Sequence, residues 1–289
     1  MEPAKRASQG RRNPMALRIN QNIAAQNAYR NLSVSDGQMS KSLEKLSSGF
    51  RINRAADDAA GLAISEGLRS QVGGLKTAVR NAQDGVSVVQ TAEGALQEVH
   101  SILQRGRDLQ VQAANGSNNQ TSLDGINSEL NSLADEIEAI GTRTDFNGVK
   151  LLNGSANLKF QVGANSNDQV SVDLTGVDLA GAAGALRTAA GANTGGVGDT
   201  TQIDLINTEI TDISGARAKM GASQNRLEHT INSLSVAVEN MSASESRIRD
   251  TDMAQEMMSF TRSQILSQAG TAMLAQANQA PQNVLQLLR

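Results

Sequence analysis

Residues 68–103 read LRSQVGGLKTAVRNAQDGVSVVQTAEGALQEVHSIL, and this stretch decides the fold class. Its apolar residues recur at steps that alternate between four and three, and only Glu93 and His100 interrupt the series with polar side chains. A sustained seven-residue repeat predicts a long helix that packs against neighbouring helices along one seam. The predicted seam consists of Leu68, Val72, Leu75, Val79, Ala82, Val86, Val89, Glu93, Leu96, His100 and Leu103.

Two later stretches carry the same repeat and extend the prediction to a bundle. The second seam consists of Leu123, Ile126, Leu130, Leu133, Ile137 and Ile140. The third consists of Ile206, Ile210, Ile213, Arg217, Met220, Gln224, Leu227, Ile231, Leu234, Val238, Met241, Glu245 and Ile248. At 1.5 Å per residue the first and third helices would be roughly 50 to 70 Å long. We expect a mainly α protein, an elongated antiparallel helical bundle or coiled coil whose core covers residues 51–174 and 201–250.

A short loop and a small β region separate the three helices. The loop ANGSNNQT at 114–121 ends the first helix, with Thr121 or Ser122 as the expected cap of the second. TDFNGVKLLNG contains two Asn-Gly pairs, which are strong turn signals, and LKFQV and QVSVDL alternate apolar and polar residues as strands do. These segments predict β-hairpins within 144–174. Residues 175–200 are dominated by Gly, Ala and Thr, and we expect a short variable loop there.

Both ends of the chain are amphipathic but hold too few apolar residues to fold alone. Isolated helices of modest length are marginal in water, so residues 15–50 and 251–289 are predicted to need partners. The second of these segments is rich in methionine, whose flexible side chain suits an adaptable helix interface. Residues 1–14 carry four basic side chains and end at Pro14, and we interpret them as a disordered extension or an over-long start.

Composition excludes several classes of function. The 289-residue chain has no cysteine, which excludes disulfides and thiolate metal sites. Its net charge is −3 and four of its basic side chains lie in the first fourteen residues, so the body is not expected to bind nucleic acid. No apolar run approaches the ~18 residues of a transmembrane helix, and the N-terminus lacks the apolar segment of a secretory signal peptide.

The usual motifs of catalysis are missing from the sequence. It contains no HExxH, no GxxxxGK[ST] and no GxGxxG after a strand. His100 falls on the first seam and His229 on the third helix, where packing explains them. Paired carboxylates such as Asp57 and Asp58 are more typical of a solvated helix face than of an acid–base pair. We therefore expect no enzyme, no cofactor and no metal site.

Several motifs, in the same order along the chain, resemble those of bacterial flagellin. The N-terminal motifs are MALRINQNIAAQNAYRNL (15–32), KLSSGFRINRAADDAAGLAIS (45–65), QDGVSVVQTAEGAL (83–96) and TDFNGVKLLNG (144–154). The C-terminal motifs are GASQNRLEHTINSL (221–234), ESRIRDTDMAQEM (245–257) and QILSQAGTAMLAQANQAPQNVLQLLR (264–289). The resemblance covers nearly everything except residues 1–14 and 175–200. It suggests a short form of the family that lacks the outer variable domains.

The resemblance implies a filament subunit that serves swimming motility. Segments 15–50 and 251–289 would pair as an inner coiled coil and stay disordered in the isolated subunit. The chain would be secreted, exported unfolded through the flagellar export apparatus with an export chaperone, and added at the distal tip of an extracellular filament. Its implied partners are other copies of itself, the filament cap and the hook-junction proteins. Contacts that do not close into a ring give an open helical polymer.

The stretch SSGFRINRAADDAAGLAI at 47–64 carries the candidate self-assembly residues Arg51, Arg54, Asp57 and Asp58. One interpretation is a polar network within and between subunits, because charged groups are better suited to specificity than to raw affinity. The other is a solvated helix start, where the dipole of the helix favours the two aspartates. The sequence leaves both open.

A second segment resembles the part of flagellins that the vertebrate Toll-like flagellin receptor binds. Carried over by position, the contact residues would be Arg105, Leu109 and Glu129, an exposed arginine and leucine near a carboxylate. The sequence departs from the family at Gly106, where a larger apolar residue is usual, and glycine inside a helix costs roughly 1 kcal/mol against alanine. This departure bears on local helix order and on receptor recognition at the expected contact.

Two alternatives stand beside a flagellin. A hook–filament junction protein shares the terminal helices but forms a thin collar, and a cell that lacks this chain yet keeps a long filament would favour it. A flagellin with an inserted protease would be an enzyme, but residues 175–200 contain no histidine and no zinc motif.

Overall fold

The computed structural model describes residues 21–154, 156–193 and 198–287, with side chains up to residue 279. In these residues it contains six helices and four strands. They are α1 (Ile23–Ser48), α2 (Ala59–Ala113), α3 (Gln120–Arg143), β1 (Asp145–Phe146), β2 (Val149–Lys150), β3 (Asn157–Gln161), β4 (Gln169–Asp173), α4 (Leu179–Ala192), α5 (Thr201–Arg249) and α6 (Met253–Leu287). The chain divides into a core unit, residues 67–244, and a terminal unit, residues 1–66 with 245–289.

The core unit confirms the mainly helical prediction. On α3 the predicted seam residues Leu123, Ile126, Leu130 and Ile137 are buried. Every predicted seam position on α5 is buried or half-buried, including Arg217. Helix α3 starts slightly earlier than expected, because Asn119 is its N-cap and its side-chain oxygen accepts a hydrogen bond from the backbone N–H of Ser122 at 2.7 Å.

The buried face of α2 is rotated from the predicted seam. From Val79 onward, every second seam position is fully buried, namely Ala82, Val89, Leu96 and Leu103. The positions that alternate with them are only half-buried, namely Val79, Val86, Glu93 and His100. Deeper burial falls one residue earlier, at Gly85, Ala92 and Val99. A Cβ at Gly85 would lie 3.2 Å from both Leu227 and Phe160, so small residues draw the neighbouring elements onto this side. The rotation explains why polar residues are tolerated at two seam positions.

Both predicted hairpins form in the core unit. β1 and β2 are joined by Asn147-Gly148, whose φ values of 50° and 79° are those of a tight turn that matches the twist of a hairpin. β3 and β4 pair antiparallel from Asn157–Asp173 to Gln161–Gln169. The second hairpin lies along α2, where Asn81 Nδ2 donates to the carbonyl oxygen of Gln161 at 3.0 Å.

The prediction of a loop at 175–200 was wrong for most of its length, because residues 179–192 form α4. Asp178 caps this helix by accepting a hydrogen bond from the backbone N–H of Gly181 at 2.9 Å. Seven of its residues are buried: Leu179, Ala182, Ala183, Ala185, Leu186, Ala189 and Ala190. Alanine is the strongest helix former and small enough to pack closely, so an Ala-rich stretch folds once a surface is present to cover. Residues 194–197 lie outside the described part of the chain.

In the terminal unit, α1 and α6 run antiparallel and contact each other along their length. Asn22 Nδ2 donates to the carbonyl oxygen of Ala277 at 2.7 Å, and Ser267 Oγ donates to Asp36 Oδ1 at 2.8 Å. The pairing of the terminal helices is thus present within one chain. The predictions for residues 1–14, and for 15–20 at the start of the first helix, lie outside the described residues.

Burial in the terminal unit is sparse. Ile52 is the only hydrophobic side chain of its described residues that is fully buried, at 2 % exposure. Large apolar side chains remain exposed on both helices, namely Ile23, Tyr29, Val34 and Leu43 on α1 and Met253, Met257, Met258, Ile265, Leu266 and Met273 on α6. None of the described helices combines the length and the hydropathy needed to cross a bilayer.

Candidate functional site

The two connections that lead to α2 and out of α5 lie side by side in the terminal unit. Gly49 is the C-cap of α1, and its φ of 76° is the left-handed conformation that glycine adopts readily. The backbone N–H of Thr251 donates to the carbonyl oxygen of Gly49 at 3.0 Å, and that of Arg51 donates to Arg249 at 2.6 Å. We call residues 49–58 and 249–252 the junction.

The two aspartates of the candidate site shape the junction locally. Asp57 Oδ2 accepts hydrogen bonds from the backbone N–H groups of Arg54, at 3.0 Å, and Asn53, at 3.2 Å. These bonds lower the pKa of Asp57 below its ordinary value, because they favour the ionised carboxylate. Asp58 Oδ1 accepts from the backbone N–H of Gly61 at 2.9 Å, so it caps the start of α2.

The two arginines reach away from the aspartates. Arg51 Nη2 donates to the carbonyl oxygen of Ile248 in the last turn of α5, at 2.7 Å. Arg54 Nε pairs with Glu44 Oε1 of α1 at 2.8 Å, while 72 % of the Arg54 side chain stays exposed. Among the described ion pairs, neither arginine is joined to either aspartate side chain. All four residues lie on one connection, where the aspartates bind backbone N–H groups and the arginines contact α5 and α1.

Sequence reasoning missed the most buried charge of the junction, Arg249. Its side chain is only 15 % exposed, and its Nη1 pairs with Glu66 Oε1 at 2.7 Å. Its guanidinium also lies 4.7 Å from the ring centroid of Phe50, a cation–π contact. Phe50 is one of only four phenylalanines in the chain, and this scarcity was the one feature of the sequence that could have drawn attention to the contact with Arg249.

The predicted receptor residues are only partly arranged as expected. Arg105 and Glu129 form an ion pair between α2 and α3, with N–O distances of 2.7 and 2.9 Å, and both side chains are about half exposed. Leu109 was expected to be exposed, but it is 2 % exposed and belongs to the core. That expectation was wrong because Leu109 lies on the inward face of α2. Helix α2 continues through Gly106 without a break.

A third feature is the exposed apolar face of α6. Met257, Met258, Ile265 and Leu266 line a shallow groove, together with Thr261 and Arg262. These four apolar side chains are between 49 % and 64 % exposed. Within the described residues, no three His, Asp or Glu side chains cluster in a way that could hold a metal ion.

Comparison with known families finds two matching models. Residues 19–157 match the model described as the bacterial flagellin N-terminal helical region. Residues 203–288 match the bacterial flagellin C-terminal helical region. Each of the two matched regions thus contributes one segment of the junction, and α4 lies between the two matched regions in the sequence.

Individual relatives match over almost the whole chain. The chain is 51 % identical to flagellin of Bacillus subtilis, with 94 % of this chain and 100 % of that protein covered. It is 54 % identical to flagellin of Halalkalibacterium halodurans, with 94 % and 99 % covered. Among solved structures, Bacillus cereus flagellin is 32 % identical, with 57 % of this chain and 94 % of that chain covered and a TM-score of 0.45.

Proposed function

This chain belongs to the bacterial flagellin family, and from that premise we propose how its terminal unit builds a filament. The chain is a structural protein and not an enzyme. It self-assembles into the extracellular flagellar filament that serves motility. The proposal concerns which of its surfaces carry assembly and how they act.

The observation that carries the proposal is the poor burial of the terminal unit. Ordering a residue costs roughly 1 to 2 kcal/mol of backbone entropy. A unit whose described residues fully bury one hydrophobic side chain, Ile52, gains little to offset that cost. Neighbouring subunits can supply the missing burial at about 25 cal/mol per Å² of apolar surface. We therefore propose that α1 and α6 are disordered in the isolated subunit and become ordered when their exposed apolar faces meet other copies.

The junction gives this apolar assembly its direction. Asp57 and Asp58 are occupied by backbone N–H groups, so they hold the shape of the connection. Arg51 and Arg54 are exposed and keep donors that no described residue of their own chain accepts. We assign the contacts between subunits to these two arginines. Exposed charges contribute little affinity, but they discriminate between registers of a contact.

Seeded polymerisation tests the apolar face. Purified subunits with Met258→Glu, mixed with sheared filament ends, should fail to elongate them in electron micrographs, because a charge would be buried on assembly. Met258→Leu is the matched control, since it keeps volume and apolar character, and it should form normal filaments. Both variants should keep the helical circular dichroism of the isolated subunit. Normal elongation by the glutamate variant would refute the assignment of this face.

Hydrogen exchange tests the order of the terminal helices. In isolated subunits, backbone amides of residues 253–279 should exchange nearly as fast as those of an unfolded chain, and in filaments they should be protected. A disordered terminal unit would support export in an unfolded state by the export apparatus with a chaperone, and ordering at the tip beside cap and hook-junction proteins. Strong protection in the isolated subunit would contradict this part of the proposal.

The hook–filament junction protein remains the alternative for this architecture. The Bacillus subtilis and Halalkalibacterium halodurans relatives are flagellins that match 94 % of this chain, which favours a subunit of the long filament. Polymerisation of this chain alone decides between them. Filaments of indefinite length support the proposal, whereas short collars support the alternative.

Receptor recognition is retained for Arg105 and Glu129 only. They form a half-exposed ion pair that a receptor could engage, while the burial of Leu109 removes the apolar part of the expected contact. We propose a weak contact with the vertebrate Toll-like flagellin receptor. In reporter cells Arg105→Ala should lower the response to isolated subunits, with Arg80→Ala as an exposed control on the same helix. Equal responses would exclude the site.

A further inference from the structure

The buried face of α4 consists almost entirely of small side chains. Five of its seven buried residues are alanines. Uniform small side chains specify a packing position poorly, because a shift along the neighbouring helix costs few specific contacts. Something else must therefore select the observed position of α4.

Two leucines give part of the answer, since each sits against a glycine of a neighbouring helix. A Cβ at Gly106 of α2 would lie 2.5 Å from Leu186 Cδ2, and one at Gly141 of α3 would lie 3.2 Å from Leu179 Cδ1. The glycines leave room that other residues would fill. Leu179 and Leu186 are seven residues apart, so they stand two turns apart on the same face of α4.

The stronger restraint is a pair of buried amide side chains at the end of α4. Gln110 of α2 and Asn193 both have 0 % exposure. Gln110 Nε2 donates to Asn193 Oδ1 at 2.9 Å, and Asn193 Nδ2 donates to Gln110 Oε1 at 3.0 Å. Asn193 Nδ2 also donates to Asn127 Oδ1 at 3.0 Å, and Gln110 Nε2 donates to the carbonyl oxygen of Asp199 at 2.9 Å.

These amides penalise every other position of α4. A satisfied hydrogen bond contributes little net free energy, but a buried donor or acceptor left without a partner is costly. Shifting α4 by even one residue would separate Asn193 from Gln110 and leave both buried without each other. Buried polar pairs fix register in other helical assemblies by the same asymmetry.

We propose that Gln110 and Asn193 form a latch that selects the register of α4 on the core unit. The role of the latch is uniqueness rather than added stability. It goes beyond the assembly function, because it acts within a single subunit and in a segment that lies between the two matched family regions. The latch explains how an Ala- and Gly-rich segment acquires one defined structure.

The first test is hydrogen exchange of the α4 amides in isolated subunits. Gln110→Leu leaves the buried Oδ1 of Asn193 without its donor, and exchange across residues 179–192 should accelerate about tenfold to hundredfold. Asn193→Ala should do the same, and it provides a second variant if the first fails to fold. Arg187→Ala is the control, since it removes only exposed ion pairs to Asp135 and Glu138 and should change exchange by less than about threefold.

The second test separates register from stability. The double variant Gln110→Leu, Asn193→Leu removes both amides, so its unfolding midpoint should recover towards that of the native protein. Its α4 amides should nevertheless show more than one set of resonances in nuclear magnetic resonance spectra. A single native-like set would overturn the latch, as would unchanged α4 exchange in Gln110→Leu and Asn193→Ala.

Discussion

Two glycines of α2 allow the packing of α4 to be weighed against helix propensity. Gly94 is exposed, and a Cβ built there would have no neighbouring atom within 4 Å. Gly106 is buried, and a Cβ there would lie 2.5 Å from Leu186 Cδ2. Both lie in the interior of the same helix, so replacement by alanine gains about the same 1 kcal/mol of helix propensity at each. Only the surroundings differ.

The expected magnitudes follow from those surroundings. Gly94→Ala should stabilise the core unit by about 1 kcal/mol. At Gly106 a comfortable carbon–carbon separation is about 3.5 to 4.0 Å, so the buried Leu186 must move by at least about 1 Å. Such overpacking costs about 1 to 3 kcal/mol, which cancels or exceeds the propensity gain. Gly106→Ala should therefore be neutral or destabilising by up to about 2 kcal/mol.

Urea and thermal unfolding of isolated subunits, followed by circular dichroism, measure both variants. A difference of 1 kcal/mol corresponds to about 2 to 4 °C in Tm for a unit of this size. Combining Gly106→Ala with Leu186→Ala completes a double-mutant cycle, and in the Leu186→Ala background the Gly106 change should become stabilising. If Gly106→Ala stabilises as much as Gly94→Ala, Leu186 does not fill this space and the reasoning fails.

Three further changes have defined outcomes. Asn119→Ala should destabilise the core unit by about 1 kcal/mol in urea unfolding, because the backbone N–H of Ser122 loses its cap, whereas Asn119→Asp should preserve it. Burial and the nearby Asp212 raise the pKa of Glu209, which disfavours the folded state once the carboxylate ionises. Glu209→Gln should therefore raise Tm at pH 7, and the difference should vanish in acid where the carboxyl group is protonated in both the folded and the unfolded state. The pKa of Asp57 is lowered, so its carboxylate stabilises the junction above about pH 4, and this stabilisation is lost as the pH falls through the lowered pKa. Filaments of Asp57→Asn should therefore dissociate more readily than native filaments at pH 7 but not in strong acid.

The helices could be predicted because their signal repeats along the chain. The seam of α3 was right because its large apolar residues Leu123, Leu130 and Ile137 are all fully buried. The seam of α2 was only half right, because an apolar pattern gives weight to large side chains. In the structure, Phe160 packs closely against α2 at Gly85, because this position has no side chain. Whether another element approaches α2 closely depends on residues that are distant in the sequence, so the local pattern of α2 does not predict it.

Helix α4 and Arg249 escaped prediction for a related reason. Composition alone made residues 175–200 resemble a loop, but residues 179–192 form a helix whose alanines are buried where it packs on α3 and beside Gly106 of α2. Glu66 and Arg249 are 183 residues apart in sequence, so no local pattern connects them. By contrast, Asp58 was placed correctly at a helix start, since capping depends on residues only three positions away.

The core unit and the terminal unit use amphipathic helices in different ways. The core unit buries much of its seams within one chain and pairs the buried amides of Gln110 and Asn193. The terminal unit leaves Met258 64 % exposed and holds its two connections together through Arg249, Phe50 and Glu66. Apolar faces supply strength without direction, because the hydrophobic effect is non-directional. In the proposed assembly, the charged junction supplies direction with little strength, so a filament contact that is both strong and specific requires the two together.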